Sequence, residues 1–484
     1  MRRLERLVPL SVLTLVVCLT TLARGETPPL APAETALDRY VHKEDPTYRY
    51  EVVNTIKGDG YTTYIVDMVS QTWRTTEDVD RTEWQHWLNI VKPDDVQFDK
   101  AMLFIGGGSN GGSAPERADG LATALAVNTK SVVAELKMVP NQPLEFRQDG
   151  KRRVEDDLIA YTWIQYMDTG DETWVARLPM VKSAVRAMDT VQSVLATEEA
   201  GGLDVDGFVV AGGSKRGWTT WLTGAVDDRV VAIIPIVIDV LNVRESMLHH
   251  YAAYGFWAPA IWDYVRNGVT DRQNDPKYDD LLAIVDPLRY RNRLTMPKYV
   301  VNAANDQFFL PDSSQFYFDD LEGEKYLRYV PNAGHSLDGS DARQNVQAYY
   351  HAILSDRPRP EYSWTLEDDG SIAVTTRETP QQVLLWQATN KRARDFRLEV
   401  VGKSAYESSE IQPGEGGKYI GLVDEPKQGF TAYFVELTFD SGTDVPFKFT
   451  TPVRVTPDVL PHKDKPLSSS RLNLRSRRRG NTDE

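Results

Sequence analysis

Ser214, Asp306 and His335 occur in an order and in local contexts suited to nucleophilic acyl transfer. Ser214 closes an apolar run, Val209-Val-Ala-Gly-Gly-Ser214, and opens a helical pattern beginning Lys215-Arg-Gly-Trp218. A serine on a sharp strand-to-helix turn, flanked by glycines so that strand and helix can approach, is a nucleophile elbow. The usual spacing is G-x-S-x-G. Here Gly212 is in place, Arg216 occupies the second glycine position and Gly217 comes one residue later. Taken alone, the segment also reads as a tight βα turn with an ordinary serine.

A serine hydroxyl is a weak nucleophile until an imidazole takes its proton. The imidazole works best when a carboxylate fixes its tautomer and stabilises its cation. Asp306 stands in the loop after the run Tyr299–Ala304, and His335 follows the next run, Tyr326–Val330, in Pro331-Asn-Ala-Gly-His335. Chain order Ser, Asp, His is that of the α/β-hydrolases. Of seven histidines only His335 is both post-strand and preceded by glycine. Asp239, just after the run Val230–Ile238, is the rival acid, with Asp306 preferred.

An oxyanion hole needs two backbone N–H groups. Lys215 would give one, and the glycine run Gly106–Gly112 the other, through Gly107 or Gly108. That run also resembles a phosphate cradle but lacks the Gly-Lys-Ser/Thr ending of a P-loop. Lys215 and Arg216 put two cations at a helix start, where the dipole mildly disfavours them. They read either as solvated charge or as a binding site for an anionic group of the substrate. The sequence has no H-E-x-x-H, paired cysteines or compact acid cluster, so neither a metal nor a cofactor is expected.

These residues need a parallel sheet to hold them. Tyr48–Ile56, Tyr61–Val69 and Trp84–Val91 alternate like antiparallel strands. Ala101–Ile105, Ser131–Glu135, Gly207–Ala211, Val230–Ile238 and Lys298–Val301 are short apolar runs of the kind buried on both faces. Helical patterns at 117–127, 154–168, 178–199 and 215–225 alternate with them, which predicts a doubly wound, mostly parallel α/β sheet over 46–357. Residues 240–296 interrupt the rhythm with an aromatic-rich stretch, read as a helical cap. Seven short strand patterns between 361 and 456, among them Phe396–Val401, predict an appended all-β sandwich. Residues 26–45 read as an extended lead-in, and 457–484, ending in Arg477-Arg-Arg479, as a disordered basic tail.

Residues 1–25 have the form of an export signal, with Arg2, Arg3 and Arg6, an apolar run Leu7–Leu22 and a small-x-small end at Ala23-Arg-Gly25. The run is shorter than the ~20 residues that span a bilayer, so no stable membrane insertion of the mature chain is expected. Cleavage would remove the only cysteine, Cys18, and, by taking away four arginines and one glutamate, move the formal charge from −15 to −18. A surface that acidic argues against a nucleic-acid partner. A periplasmic or secreted protein is expected.

The chain resembles the PhoPQ-activated pathogenicity-related protein family from about Tyr40 to Val455. The likeness is carried by Trp84–Trp87, Gly106–Gly112, Val139–Phe146, Gly212–Trp218, Asp239–Asn242, Asn302–Phe309 and Asn332–His335. The resemblance implies an α/β-hydrolase fold and leaves the activity open. The serine motif is also similar to the G-C-S-R-x-G-K of glucuronoyl esterases at Gly212, Ser214, Lys215 and Gly217, with Gly213 and Trp218 departing from it. An acyl hydrolase acting on a small-molecule or glycan ester is the first expectation. A peptidase on the same three residues is the second. A non-catalytic secreted binding protein, with the sandwich as its contact surface, is the third.

Overall fold

The structure is a computed structural model that describes residues 26–117 and 119–467. The expected signal segment 1–25 and the basic end of the tail, 468–484, lie outside the described residues.

The chain opens with helix α1 (Ala36–His42) and an antiparallel meander of β1 (Arg49–Lys57), β2 (Tyr61–Thr72) and β3 (Glu83–Pro93). Next come β4 (Lys100–Ile105), α2 (Gly120–Thr129), β5 (Val133–Leu136) and a separate hairpin of β6 (Leu144–Phe146) and β7 (Lys151–Arg153). Helices α3 (Glu155–Thr169) and α4 (Arg177–Leu195) lead to β8 (Gly207–Gly213), α5 (Lys215–Val226) and β9 (Val230–Ile236). A cap of α6 (Val243–Tyr254), α7 (Trp262–Asn267) and α8 (Pro276–Val285) precedes β10 (Lys298–Ala303), β11 (Lys325–Val330) and α9 (Ala342–Leu354). Nine strands make one sheet in the order β1-β2-β3-β5-β4-β8-β9-β10-β11. β3 runs against both of its neighbours, and from β5 to β11 every pairing is parallel. This is the α/β-hydrolase arrangement.

The apolar runs are buried on both faces because helices cover both. Phe208 and Val210 of β8 join a core with α3, α4 and α5, whereas Val209 and Ala211 join one with α2 and α9. Such a sheet gathers its functional groups beyond the carboxyl ends of its strands. Ser214, Asp306 and His335 follow β8, β10 and β11 there.

Beyond residue 361 lie two antiparallel sheets. Strands β12 (Tyr362–Leu366), β13 (Ile372–Thr376), β14 (Gln382–Asn390), β15 (Glu407–Glu410), β16 (Tyr419–Gly421), β17 (Phe430–Phe439), β18 (Phe447–Thr450) and β19 (Arg454–Thr456) sort as β12-β13-β16 and β15-β14-β17-β18, with β19 also on β17. Ile372, Val374 and Tyr419 of one sheet share a core with Val383, Leu385, Val435 and Leu437 of the other. The sandwich covers the outer edge of β11, where Tyr329 N donates to Thr450 Oγ1 at 3.0 Å and the Phe449 and Tyr326 rings lie 4.3 Å apart. An edge strand left open there would present unpaired backbone groups. A fully buried ion pair, Arg328 with Glu436, joins the two parts.

Three expectations need correction. Phe396–Val401 is not a strand: Leu398–Val401 forms a short helix, α10, because the segment docks on the loop after β10. Leu398 N donates to Asn305 O, and Asn305 Nδ2 to Phe396 O. The lead-in is not merely extended: α1 buries Leu37 and Val41, and Thr35 and Asp38 close a capping box at its start. Residues 457–467 are not loose tail, since His462 N donates to Ala252 O, Lys465 Nζ to Gly255 O and Tyr251 Oη to Pro466 O, binding this stretch to α6.

Candidate active site

Ser214 sits between β8 and α5 with φ 56° and ψ −124°, a region that non-glycine residues occupy only when their surroundings enforce it. The enforcement is close packing of the helix on the sheet. A Cβ on Gly212 would fall 2.8 Å from Arg216 O, and one on Gly217 would fall 2.8 Å from Gly212 O and 2.9 Å from Ile236 O. The late glycine is therefore the one that faces Gly212. The usual second glycine position is free to carry Arg216.

Ser214 Oγ lies 2.9 Å from His335 Nε2, and His335 Nδ1 lies 3.0 and 2.9 Å from the two oxygens of Asp306. With its proton on Nδ1, the imidazole donates to Asp306 and accepts from the serine hydroxyl. The histidine loop is pinned by Gln307, whose Oε1 accepts from His335 N at 2.8 Å, and a Cβ on Gly334 would collide with the Gln307 amide. Asp306 is buried and also accepts from Phe308 N at 2.7 Å, while the Phe308 ring lies 4.2 Å from the imidazole. Asp239 is elsewhere. Its two oxygens accept from Tyr317 Oη and Tyr329 Oη, each at 2.6 Å, and burial pushes its carboxyl up to about 8.

The glycine loop packs against the start of α5. Gly107 O accepts from Met138 N and Gly108 O from Gln142 Nε2, so these carbonyls are held in the loop's own bonds. A Cβ on Gly107 would lie 2.8 Å from Arg216 Nη2, so glycine there makes room for the guanidinium. The N–H of Lys215, at the first position of α5, has no carbonyl within its own helix to meet.

The two cations beside Ser214 are not available as the expected anion site, because their charge is already met. Arg216 donates to Glu155 through Nη1 at 2.8 Å and Nη2 at 2.6 Å, and through Nε to Val139 O at 2.5 Å. Lys215 Nζ lies 2.9 Å from Glu155 and 3.1 Å from Asp156. Burial alone would raise the Glu155 carboxyl, but its bonds to Arg216 and the charge of Lys215 hold it at about 2. Arg216 is thus a clamp between α5, α3 and the Val139 segment. Arg216→Met should cost about 1–3 kcal/mol in denaturant titration, less than a fully buried pair because the Glu155 side chain is 37% exposed. An unchanged midpoint would show that the clamp holds nothing.

An apolar cavity of about 60 Å³ opens beside Ser214 under the cap, walled by Trp218, Ile238, Val243, Met247, Phe308 and Phe309 among others. Arg177 and Glu155, both at the site, had no place in the sequence reading. Glu155 hid among the acids of a helix start, and Arg177 stands one residue before the expected helix 178–199, at the first position of α4. Among the described residues no cluster of three or more His, Cys, Asp or Glu could hold a metal, and no helix is long and apolar enough to cross a membrane.

The model of the PhoPQ-activated pathogenicity-related protein family matches residues 37–397. The chain belongs to that family. Autocrine proliferation repressor protein A of Dictyostelium discoideum is 39% identical over 455 residues, covering 88% of this chain and 91% of that one. Among solved structures, acetyl xylan esterase 1 from Thermoanaerobacterium is 13% identical at a TM-score of 0.41, over 64% of this chain and 90% of that one. A glucuronoyl esterase from Solibacter usitatus is 14% identical at 0.37, over 65% and 87%. For this member of the family the fold rests on its own strand order.

Proposed function

We propose that the protein is an exported serine hydrolase that cleaves carboxylic esters of small molecules or glycans through an acyl-enzyme on Ser214. The observation that carries this reading is the hydrogen-bonded chain Asp306, His335, Ser214, ending at a strained serine on the mouth of an apolar cavity. In this reading His335 accepts the Ser214 proton as Oγ attacks the ester carbon, and Asp306 steadies the imidazolium. The charge on the tetrahedral oxygen is met by the Lys215 N–H, reinforced by the dipole of α5, and by the N–H of Gly107 or Gly108. Collapse breaks the carbon–oxygen bond, His335 protonates the leaving alcohol, and water then repeats the sequence to release the acid and restore Ser214. Export rests on the basic start, apolar run and small-x-small end of residues 1–25.

A second reading keeps the scaffold without the chemistry. The name of the Dictyostelium relative, an autocrine repressor of proliferation, supports a secreted signalling protein whose sandwich contacts a protein partner. A fluorophosphonate probe separates the two. Labelling of the unmodified protein, absent in Ser214→Ala, is the expected result, and a screen of esters against peptides then sorts esterase from peptidase. Absence of Ser214-dependent labelling would overturn the hydrolase in favour of the signalling protein.

A further inference from the structure

The cavity beside Ser214 has an unusual polar complement. Its wall is mostly apolar, yet Trp163 Nε1, Arg177 Nε, Thr270 Oγ1 and Gln273 Oε1 all belong to lining residues and have no protein hydrogen-bond partner. None of the four residues is more than 5% exposed. Buried polar atoms are nearly always paired, and each one left alone costs about 1–3 kcal/mol. Here the four residues that carry them come from three separate segments, α3, α4 and the cap turn at 270–273, and all line one small cavity.

Arg177 carries the charge. Its Nη1 donates to Lys215 O at 2.7 Å and its guanidinium lies over the Trp218 ring, 4.4 Å from the centroid. The neighbouring cations are paired: Lys215 with Glu155 and Asp156, Arg216 with Glu155, Arg266 with Asp157 and Asp263. Among the described residues Arg177 has no carboxylate within ion-pair distance. Asp156 acts on it through space but is engaged by Lys215 and by the Tyr264 hydroxyl. A buried cation without a counter-charge is costly, and a ligand anion beside it removes that cost.

We propose that this cavity is a specificity pocket for esters that carry a second, free carboxylate on a short chain, with Arg177 as the residue that binds it. Trp163 and Thr270 supply further donors, and Gln273 presents its amide nitrogen after a half-turn of its last torsion. The assignment rests on the hydrolase reading for the word ester, but the carboxylate site stands on the cavity alone. The carboxylate has two possible positions, on the acyl or the alcohol side of the ester, and both give the same chemistry at Arg177.

Kinetics and binding test the two claims apart. Ethyl hydrogen succinate against ethyl butanoate probes the acyl side, and the acetate of 3-hydroxypropanoate against propyl acetate probes the alcohol side. In one of these pairs the charged ester should win by about tenfold or more in kcat/KM, and Arg177→Met should abolish the preference while Arg177→Lys keeps part of it. A purely structural Arg177 would slow both members of each pair alike. In calorimetry on the full-length Ser214→Ala protein, butanoate should bind about tenfold more tightly than butanamide. That comparison needs no Arg177 variant to fold. Equal binding of acid and amide overturns the pocket assignment even if esters are cleaved. Tight butanoate binding in a protein that cleaves no ester overturns the hydrolase and keeps the carboxylate site.

Discussion

Ser214→Ala should lower turnover of an activated ester such as p-nitrophenyl acetate by a factor on the order of 10⁶. In the proposed mechanism Oγ is the atom that bonds to the acyl carbon, and it is the side-chain hydroxyl that His335, 2.9 Å away, activates for acylation. KM should change little, since the cavity walls Trp218, Phe308 and Phe309 are untouched. A residual rate about 10³–10⁴ above water should survive from backbone donors and binding alone. Serine and histidine act as one unit, so the double variant Ser214→Ala with His335→Ala should be no slower than Ser214→Ala by more than about threefold. The fold should persist, because alanine meets the positive φ at position 214 with no bulkier side chain than serine. Retention of more than about a tenth of the activity in a folded Ser214→Ala protein would assign the nucleophile elsewhere.

The parts of this site that were legible in the sequence are those set by local pattern. The apolar run of β8 and the glycines around Ser214 mark a strand-to-helix turn whatever the rest of the chain does, and the loops after β10 and β11 place Asp306 and His335 at the same sheet edge. The illegible parts depend on contacts between distant segments. Arg216 looked free beside Ser214, but Glu155, 61 positions earlier, was already bonded to it. Phe396–Val401 has the apolar spacing of a strand, yet its backbone is claimed by Asn305. The start of the tail is polar and proline-bearing, and it is ordered only because α6 offers carbonyls to His462 and Lys465. Burial without a carboxylate at ion-pair distance, which singles out Arg177, is a property of the folded interior and leaves no local trace.

The choice of acid gives the second large effect. Asp306→Asn should lower kcat by about 10⁴, because the neutral amide no longer stabilises the imidazolium and its N–H, donating to Nδ1, favours the imidazole tautomer that cannot take the proton of Ser214. Asp239→Asn should leave kcat/KM within about threefold, because its oxygens are bound to the Tyr317 and Tyr329 hydroxyls and not to the imidazole. Its effect belongs in a different measurement. Burial raises the Asp239 carboxyl from 3.8 to about 8, so the folded chain holds this proton more tightly than the unfolded one. Where the native state binds more protons, stability falls as pH rises. Asp239 therefore contributes a loss of stability between about pH 4 and pH 8, and Asp239→Asn should flatten that slope in thermal melts across the range. A rate loss of about 10⁴ in Asp239→Asn with a mild effect in Asp306→Asn would exchange their roles. That outcome would require the Tyr317 and Tyr329 bonds to open so that Asp239 could reach His335.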